Sequence, residues 1–197
     1  RFKKVAKYAW VAFLPPFGYG FLEASLNGNF PVYALRLDLD IQQVSFILPA
    51  FAIGSLVSQI PLGMLSDTIG RKRVLVLILL GGSATFLTAG FIEQTAIGLF
   101  AAIFIAGMFV GSTFSLGMSY MTDLLPPQLL PAGNIIFGVV FSIGSIAGPF
   151  FGGLAIQFMP GGNFLLVLGA MLIIILTAVS LFKPKYEDTK KGMHSSI

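Results

Sequence analysis

Gly63-Met64-Leu65-Ser66-Asp67-Thr68-Ile69-Gly70-Arg71-Lys72-Arg73 separates two long apolar runs and decides how the chain is laid out. Residues 41–66 before this cluster hold no Asp, Glu, Lys or Arg, and neither do residues 74–92 after it. Two further uncharged runs cover 94–122 and 124–182. A membrane-spanning helix needs about 20 predominantly apolar residues. Each run therefore holds a span, and the last holds two, divided by the turn-forming Met159-Pro160-Gly161-Gly162-Asn163. Tyr8 to Leu35, interrupted only by Glu23, supplies one more. The pattern predicts six helices at about 9–33, 43–65, 73–92, 97–122, 133–157 and 163–182, a single transmembrane bundle over 1–197 with short tails.

Bulk composition agrees. Of 197 residues, 56% are hydrophobic and 10% are charged, against about 25% charged in soluble domains. The mean hydropathy is +0.90. So few charges cannot cover a water-facing surface, and the chain reads as an all-α membrane protein with the lipid bilayer as its solvent. The absence of cysteine excludes disulfides, thiolate metal sites and cysteine nucleophiles. The net charge of +4 comes from scattered residues and does not point to nucleic acid.

Orientation follows from the placement of lysine and arginine, which concentrate in cytoplasmic loops. With the amino terminus inside, the inner segments hold Arg1, Lys3, Lys4 and Lys7, then Arg71, Lys72 and Arg73, then Lys183, Lys185, Lys190 and Lys191. Only Arg36 is left outside. Both termini are expected in the cytoplasm, with the plasma (inner) membrane as the location. The basic start followed by Tyr8–Leu22 imitates a secretory signal, but Pro15-Pro16 breaks the core that a signal needs. The chain begins at Arg1 rather than methionine, which is expected of a piece of a longer protein.

The second and fifth helices look alike. Phe51-Ala52-Ile53-Gly54-Ser55 matches Phe141-Ser142-Ile143-Gly144-Ser145, and continuing the alignment pairs Gly63 with Gly153. These helices cross in opposite directions, so the halves form a 3+3 inverted repeat, an arrangement typical of secondary transporters. Chance similarity in a chain of few residue types is the alternative.

Three kinds of helix are distinguishable. The first carries Tyr19, Glu23 and Asn27 one turn apart, all on one face. The fourth carries Ser112, Ser115 and Ser119, with Tyr120 beside them. Tyr19, Glu23, Asn27, Ser115, Ser119 and Tyr120 are the candidates for a polar cavity. Any one serine is as well explained by a bond to its own backbone four residues back. Val74–Leu80 and Leu172–Leu176 read as plain lipid-facing material, placing the third and sixth helices at the rim. Gly107-x-x-x-Gly111, Gly144-x-x-x-Gly148 and Gly148-x-x-x-Gly152 have the spacing that lets helix backbones approach closely in lipid.

With these residues in view, the 63–73 stretch resembles the signature of the major facilitator superfamily: Gly63, then Asp67, then Gly70-Arg71-Lys72, in a short loop after the second of six helices. Thr68 stands where the family usually has a basic residue. Gly144-Ser145-Ile146-Ala147-Gly148-Pro149-Phe150-Phe151-Gly152-Gly153 resembles the Gly-Pro-x-x-Gly-Gly motif of antiporters in that superfamily. The resemblance implies one half of a twelve-helix fold, with the other six-helix half as partner. The missing arginine before the glycines of the fourth helix favours the carboxy-terminal half. It also implies that Asp67 and Arg71 meet an acidic residue at the inner end of the fourth helix, where Asp123 stands. Gly63, Asp67, Gly70, Arg71, Lys72 and Asp123 then form a cytoplasmic gate, and the basic residues also anchor the topology. Gly144, Gly148, Pro149, Gly152 and Gly153 form a helix-packing motif.

Rival classes fit less well. The only histidine, His194, lies in the tail, and no serine sits in a nucleophile elbow, so an enzyme is not expected. No filter sequence suggests a channel. A non-transporting scaffold or accessory subunit remains the alternative, against which Glu23 speaks, since ionisable residues inside a span are usually functional. If Glu23 instead lies near the outer surface, it is merely solvated. The expectation is a proton-coupled exporter of a small-molecule substrate, needing no metal or cofactor beyond the proton gradient. An isolated half is expected to self-associate, as a homodimer covering its polar face.

Overall fold

Pro15 and Pro16 shape the start of the chain. Neither has an N–H with which to bond a preceding carbonyl, and Trp10–Phe13 before them winds as a 3-10 turn between α1 (Phe2–Ala9) and α2 (Leu14–Gly28). Pro31 follows a second break at Asn29, after which α3 (Phe30–Arg36) begins. The single helix expected over 9–33 is thus a segmented path. The computed structural model describes residues 1–92, 95–158 and 164–182. The divider at 159–163 and the tail from 183 onward, with His194, lie outside the described residues.

A capping box at Asp40 and Gln43 starts α4 (Ile41–Ile69). This helix runs beyond the end expected near 65, so Ser66, Asp67 and Thr68 are helical and not in a loop. Gly70 alone links it to α5 (Arg71–Ile92). At φ 102° and ψ 148° its backbone lies where only glycine is at ease. The fourth expected helix divides into α6 (Ala96–Val110), capped by the Thr95 hydroxyl, and α7 (Thr113–Leu124), with a bend at Gly111 and Ser112. A 3-10 turn at Pro127–Leu129 leads into α8 (Leu130–Phe158), and α9 (Phe164–Leu181) closes the described chain.

Every regular element among the described residues is helical. Five stretches are long and apolar enough to cross a membrane: Ile41–Ile69, Arg71–Phe91, Ala96–Leu124, Pro127–Phe158 and Phe164–Leu181. The chain is an all-helical integral membrane protein.

Packing is organised in pairs, α2 on α8, α4 on α6, and α5 on both α9 and α6. Two of the crossings are built alike. On α4 and α6, a methyl at Gly107 would overlap the carbonyl of Phe51, and one at Gly54 would overlap that of Phe104. On α2 and α8, a methyl at Gly20 would overlap the carbonyl of Phe141, and one at Gly144 that of Phe17. Phe-x-x-Gly therefore faces Phe-x-x-Gly in both places. Without a hydrophobic force between helices in lipid, this backbone contact supplies van der Waals energy that larger residues would prevent.

The expected rim needs correction. Val74, Leu75, Ile78 and Leu79 are fully buried, and only Leu77 and Leu80 of that run face outward. Leu172 and Ile175 are likewise buried, while Ile173 and Ile174 point out. The broad apolar exposure lies instead on α4 (Ile53, Leu56, Val57, Ile60) and α8 (Ile135, Val139, Ile143, Ile146). An uninterrupted apolar run does not reveal which of its faces meets protein, because lipid and protein interior have similar polarity.

Candidate functional site

Arg71 is the hub of one end of the bundle. It stands in the first turn of α5, and the sharp turn at Gly70 folds it back over the end of α4. One guanidinium NH₂ (Nη1) donates to Asp67 Oδ1 at 2.8 Å and to Ser66 Oγ at 2.8 Å. Its Nε lies 3.5 Å from Asp123 Oδ2, at the end of α7. Ser66 is buried, and its own hydroxyl donates a hydrogen bond to the Gly63 carbonyl at 2.7 Å. The side chain of Arg71 is 28% exposed, those of Asp67 and Asp123 66% and 57%. Asp67 near a helix C-terminus and Arg71 at a helix N-terminus both oppose the local helix dipole. Their pairing offsets that cost, which helix stability alone would not have introduced.

Lys72 has a different role from its neighbour. Its Nζ donates to the carbonyl of Phe182, just past α9. The Phe182 ring meets Trp10 edge-on at 5.7 Å. The start of α2, the α4–α5 turn and the ends of α7 and α9 thus share one end of the bundle. At the opposite end Arg36 Nη1 donates to the Ile156 carbonyl at 2.5 Å, near the end of α8. The one basic residue that broke the charge asymmetry is engaged as a helix C-terminal cap.

The polar face is placed in part as the spacing suggested. Tyr19 and Glu23 are half-buried and Asn27 is exposed along α2. The Tyr19 ring packs beside Phe114 of α7 and Phe141 of α8, at 6.0 and 6.3 Å. On α7, Ser115 is exposed and Ser119 half-buried, but Tyr120 is only 5% exposed and belongs to the core, as does Ser112. Tyr120 is thereby removed from the open face. Ser115 and Ser119 share a stripe of α7 from which Tyr120 stands about 100° away, toward the core.

The glycine motif of α8 resolves into separate contacts. Gly144 and Gly148 lie against the carbonyls of Phe17 and Phe21, and Gly152 makes room for the side-chain amide of Asn29. That amide donates to the Pro149 carbonyl at 2.9 Å. A methyl added at Gly153 or at Gly63 would meet no other part of the fold within 4 Å. Ser66 and Asn29 were missed in the sequence. Ser66 sits beside Asp67, one place from a residue already singled out. Asn29 gave no local signal, since its partner is 120 residues away. Among the described residues no cluster of His, Asp or Glu could hold a metal ion.

Comparison with known proteins agrees with this layout. A family model described as Major Facilitator Superfamily matches residues 13–195. The chain is 54% identical over 186 residues to an uncharacterized MFS-type transporter, YfkF, of Bacillus subtilis, covering 94% of this chain and 47% of that protein. It is 29% identical over 149 residues to a bicyclomycin resistance protein homolog of Haemophilus influenzae, covering 75% of this chain and 36% of the relative. It is 38% identical over 93 residues to the class H tetracycline resistance protein of Pasteurella multocida, covering 47% and 23%. The chain spans about half or less of the length of these relatives.

Proposed function

The chain belongs to the major facilitator superfamily, and from that premise we propose that it is one six-helix half of a secondary transporter that exports a small solute by alternating access. As a member of a transporter family it is not an enzyme, and it needs no cofactor. The segmented α1–α3 path would count as the first span, making six. The two matched crossings, α2 on α8 and α4 on α6, support a 3+3 inverted repeat. The apolar faces of α4 and α8 would meet the other half and the lipid.

The observation that carries the reading is Arg71, which binds Asp67 across the α4–α5 turn and reaches Asp123 on α7. At such exposure an ion pair is worth about 0–1 kcal/mol. That is weak enough to break in every cycle and strong enough to bias two conformations, as a gate requires. With the basic residues inside, this end and both termini would be cytoplasmic, in the plasma membrane.

Export is favoured over uptake by the names of two relatives, which describe resistance to bicyclomycin and to tetracycline, and by the antiporter-like motif on α8. Glu23 is the proposed proton carrier: a half-buried carboxyl one turn from Tyr19, on the face that opens between α2, α7 and α8. Expression of the protein carrying this chain in a pump-deficient bacterium tests the reading. Tolerance of tetracycline, bicyclomycin or a lipophilic dye should rise, and should return to the background level with Arg71→Ala at equal membrane abundance. Equal tolerance with and without the protein across the panel would refute export.

A further inference from the structure

The transport reading leaves α1 unexplained. Its Lys3, Lys4 and Lys7 project from one side of the helix and are exposed, while Val5 and Ala9 on the other side are fully buried. The buried side packs on α7 and α8. Phe2 and Trp10, at the two ends of this segment, are 54% and 48% exposed. Trp10 rests on Phe182, whose carbonyl receives Lys72, so α1 lies at the same end of the bundle as the cationic first turn of α5. There Arg73 is exposed as well.

Three lysines facing away from the core do not stabilise one another, and two exposed aromatics beside them gain nothing from water. Both are satisfied by one surface, the headgroup layer of an anionic bilayer. There ammonium groups meet phosphates, and amphipathic rings such as Trp settle at the border with the acyl chains. We infer that α1 is a docking surface for anionic phospholipid, with Lys3, Lys4 and Lys7 as its contacts and Trp10 as its anchor. Each basic residue near an anionic surface strengthens attraction to that surface about fivefold. The inference does not depend on the solute or on the gate.

Trp10 is the only tryptophan in this chain, so its fluorescence reads this place alone once any tryptophan in the rest of the full-length protein is replaced by phenylalanine. The protein is reconstituted in phosphatidylcholine vesicles, and Trp10 is quenched with brominated phosphatidylglycerol or brominated phosphatidylcholine, both leaflets carrying the probe. Phosphatidylglycerol should be selected over phosphatidylcholine by about fivefold or more. The preference should fall to near parity in high salt and in the Lys3→Gln, Lys4→Gln, Lys7→Gln triple variant, whose exposed substitutions leave the fold intact. Equal quenching by the two lipids overturns the inference, as does a preference that survives in the triple variant. Because both leaflets are probed, an error in the assigned orientation leaves the result unchanged.

Discussion

Arg71 and Asp123 join α5 to α7 through a contact of 3.5 Å, longer than the 2.8 Å that the same guanidinium keeps with Asp67. The short contact bridges the Gly70 turn between residues four apart in sequence, and the long one joins helices that are far apart in sequence. A movement of the α7 end therefore breaks the Asp123 contact first and leaves Arg71 seated on Ser66 and Asp67.

This order predicts graded effects on transport. Asp123→Asn should lower the rate by up to about fivefold, the worth of one half-exposed ion pair. Arg71→Ala removes all three contacts and should cost about tenfold or more, with insertion intact. Ser66→Ala should fall between them. Initial rates at matched protein levels check the ranking, and an Asp123→Asn effect larger than that of Arg71→Ala would reverse the proposed order.

The glycines divide into two groups with opposite expectations. Gly107→Ala and Gly148→Ala place a methyl against the backbone carbonyls of Phe51 and Phe21. Each should destabilise by about 1–3 kcal/mol, read as a lowered thermal midpoint in detergent. Gly63→Ala and Gly153→Ala meet nothing within 4 Å and should change stability by no more than about 0.5 kcal/mol. Any loss of transport in those two variants would then come from a surface outside this bundle.

Asn29 and Gly152 should be energetically coupled. Gly152→Ala drives a methyl into the Asn29 amide and should destabilise by about 1–3 kcal/mol. Combined with Asn29→Ala, which removes that amide, most of the Gly152→Ala cost should vanish. A double-mutant cycle reads the coupling, expected at about 0.5–3 kcal/mol. Additive costs would mean that Gly152 is confined by something else.

This chain contains no cysteine, so in a full-length protein with any other cysteines replaced, single thiols can report the sides of the membrane. Arg73→Cys should react with an impermeant maleimide only from the cytoplasmic side, and Asp38→Cys only from the outside. The opposite pattern would invert the assigned orientation.

How much of this was legible in the sequence depends on the range of the interaction. The charge-free runs located five of the spans, because length and hydropathy are local properties. The meeting of Asp67, Arg71 and Asp123 was foreseen through the family resemblance, and Lys72 was foreseen only as part of the same group. Its bond to Phe182 depends on where α9 ends. The break at Trp10–Phe13 is hinted at by Pro15 and Pro16, which interrupt the apolar run just after it. Burial of Val74, Leu75 and Ile78 could not be read, since apolar residues suit lipid and protein interior equally. Tyr120 stands about 100° around α7 from Ser119, which is enough to turn it into the core while Ser115 and Ser119 stay on the outer side. Arg36 looked like an exception to the charge rule until its carbonyl partner on α8 came into view.

Accumulation in everted membrane vesicles of whichever compound of the panel the protein confers tolerance to, with and without a proton gradient, tests the account most directly. Vesicles carrying the wild-type protein should accumulate it only when energised and lose it when the gradient is collapsed. Vesicles carrying Glu23→Gln should still bind that compound but show no response to the gradient. Gradient-dependent accumulation that is unchanged by Glu23→Gln, or no accumulation above protein-free vesicles in the wild type, would contradict the account.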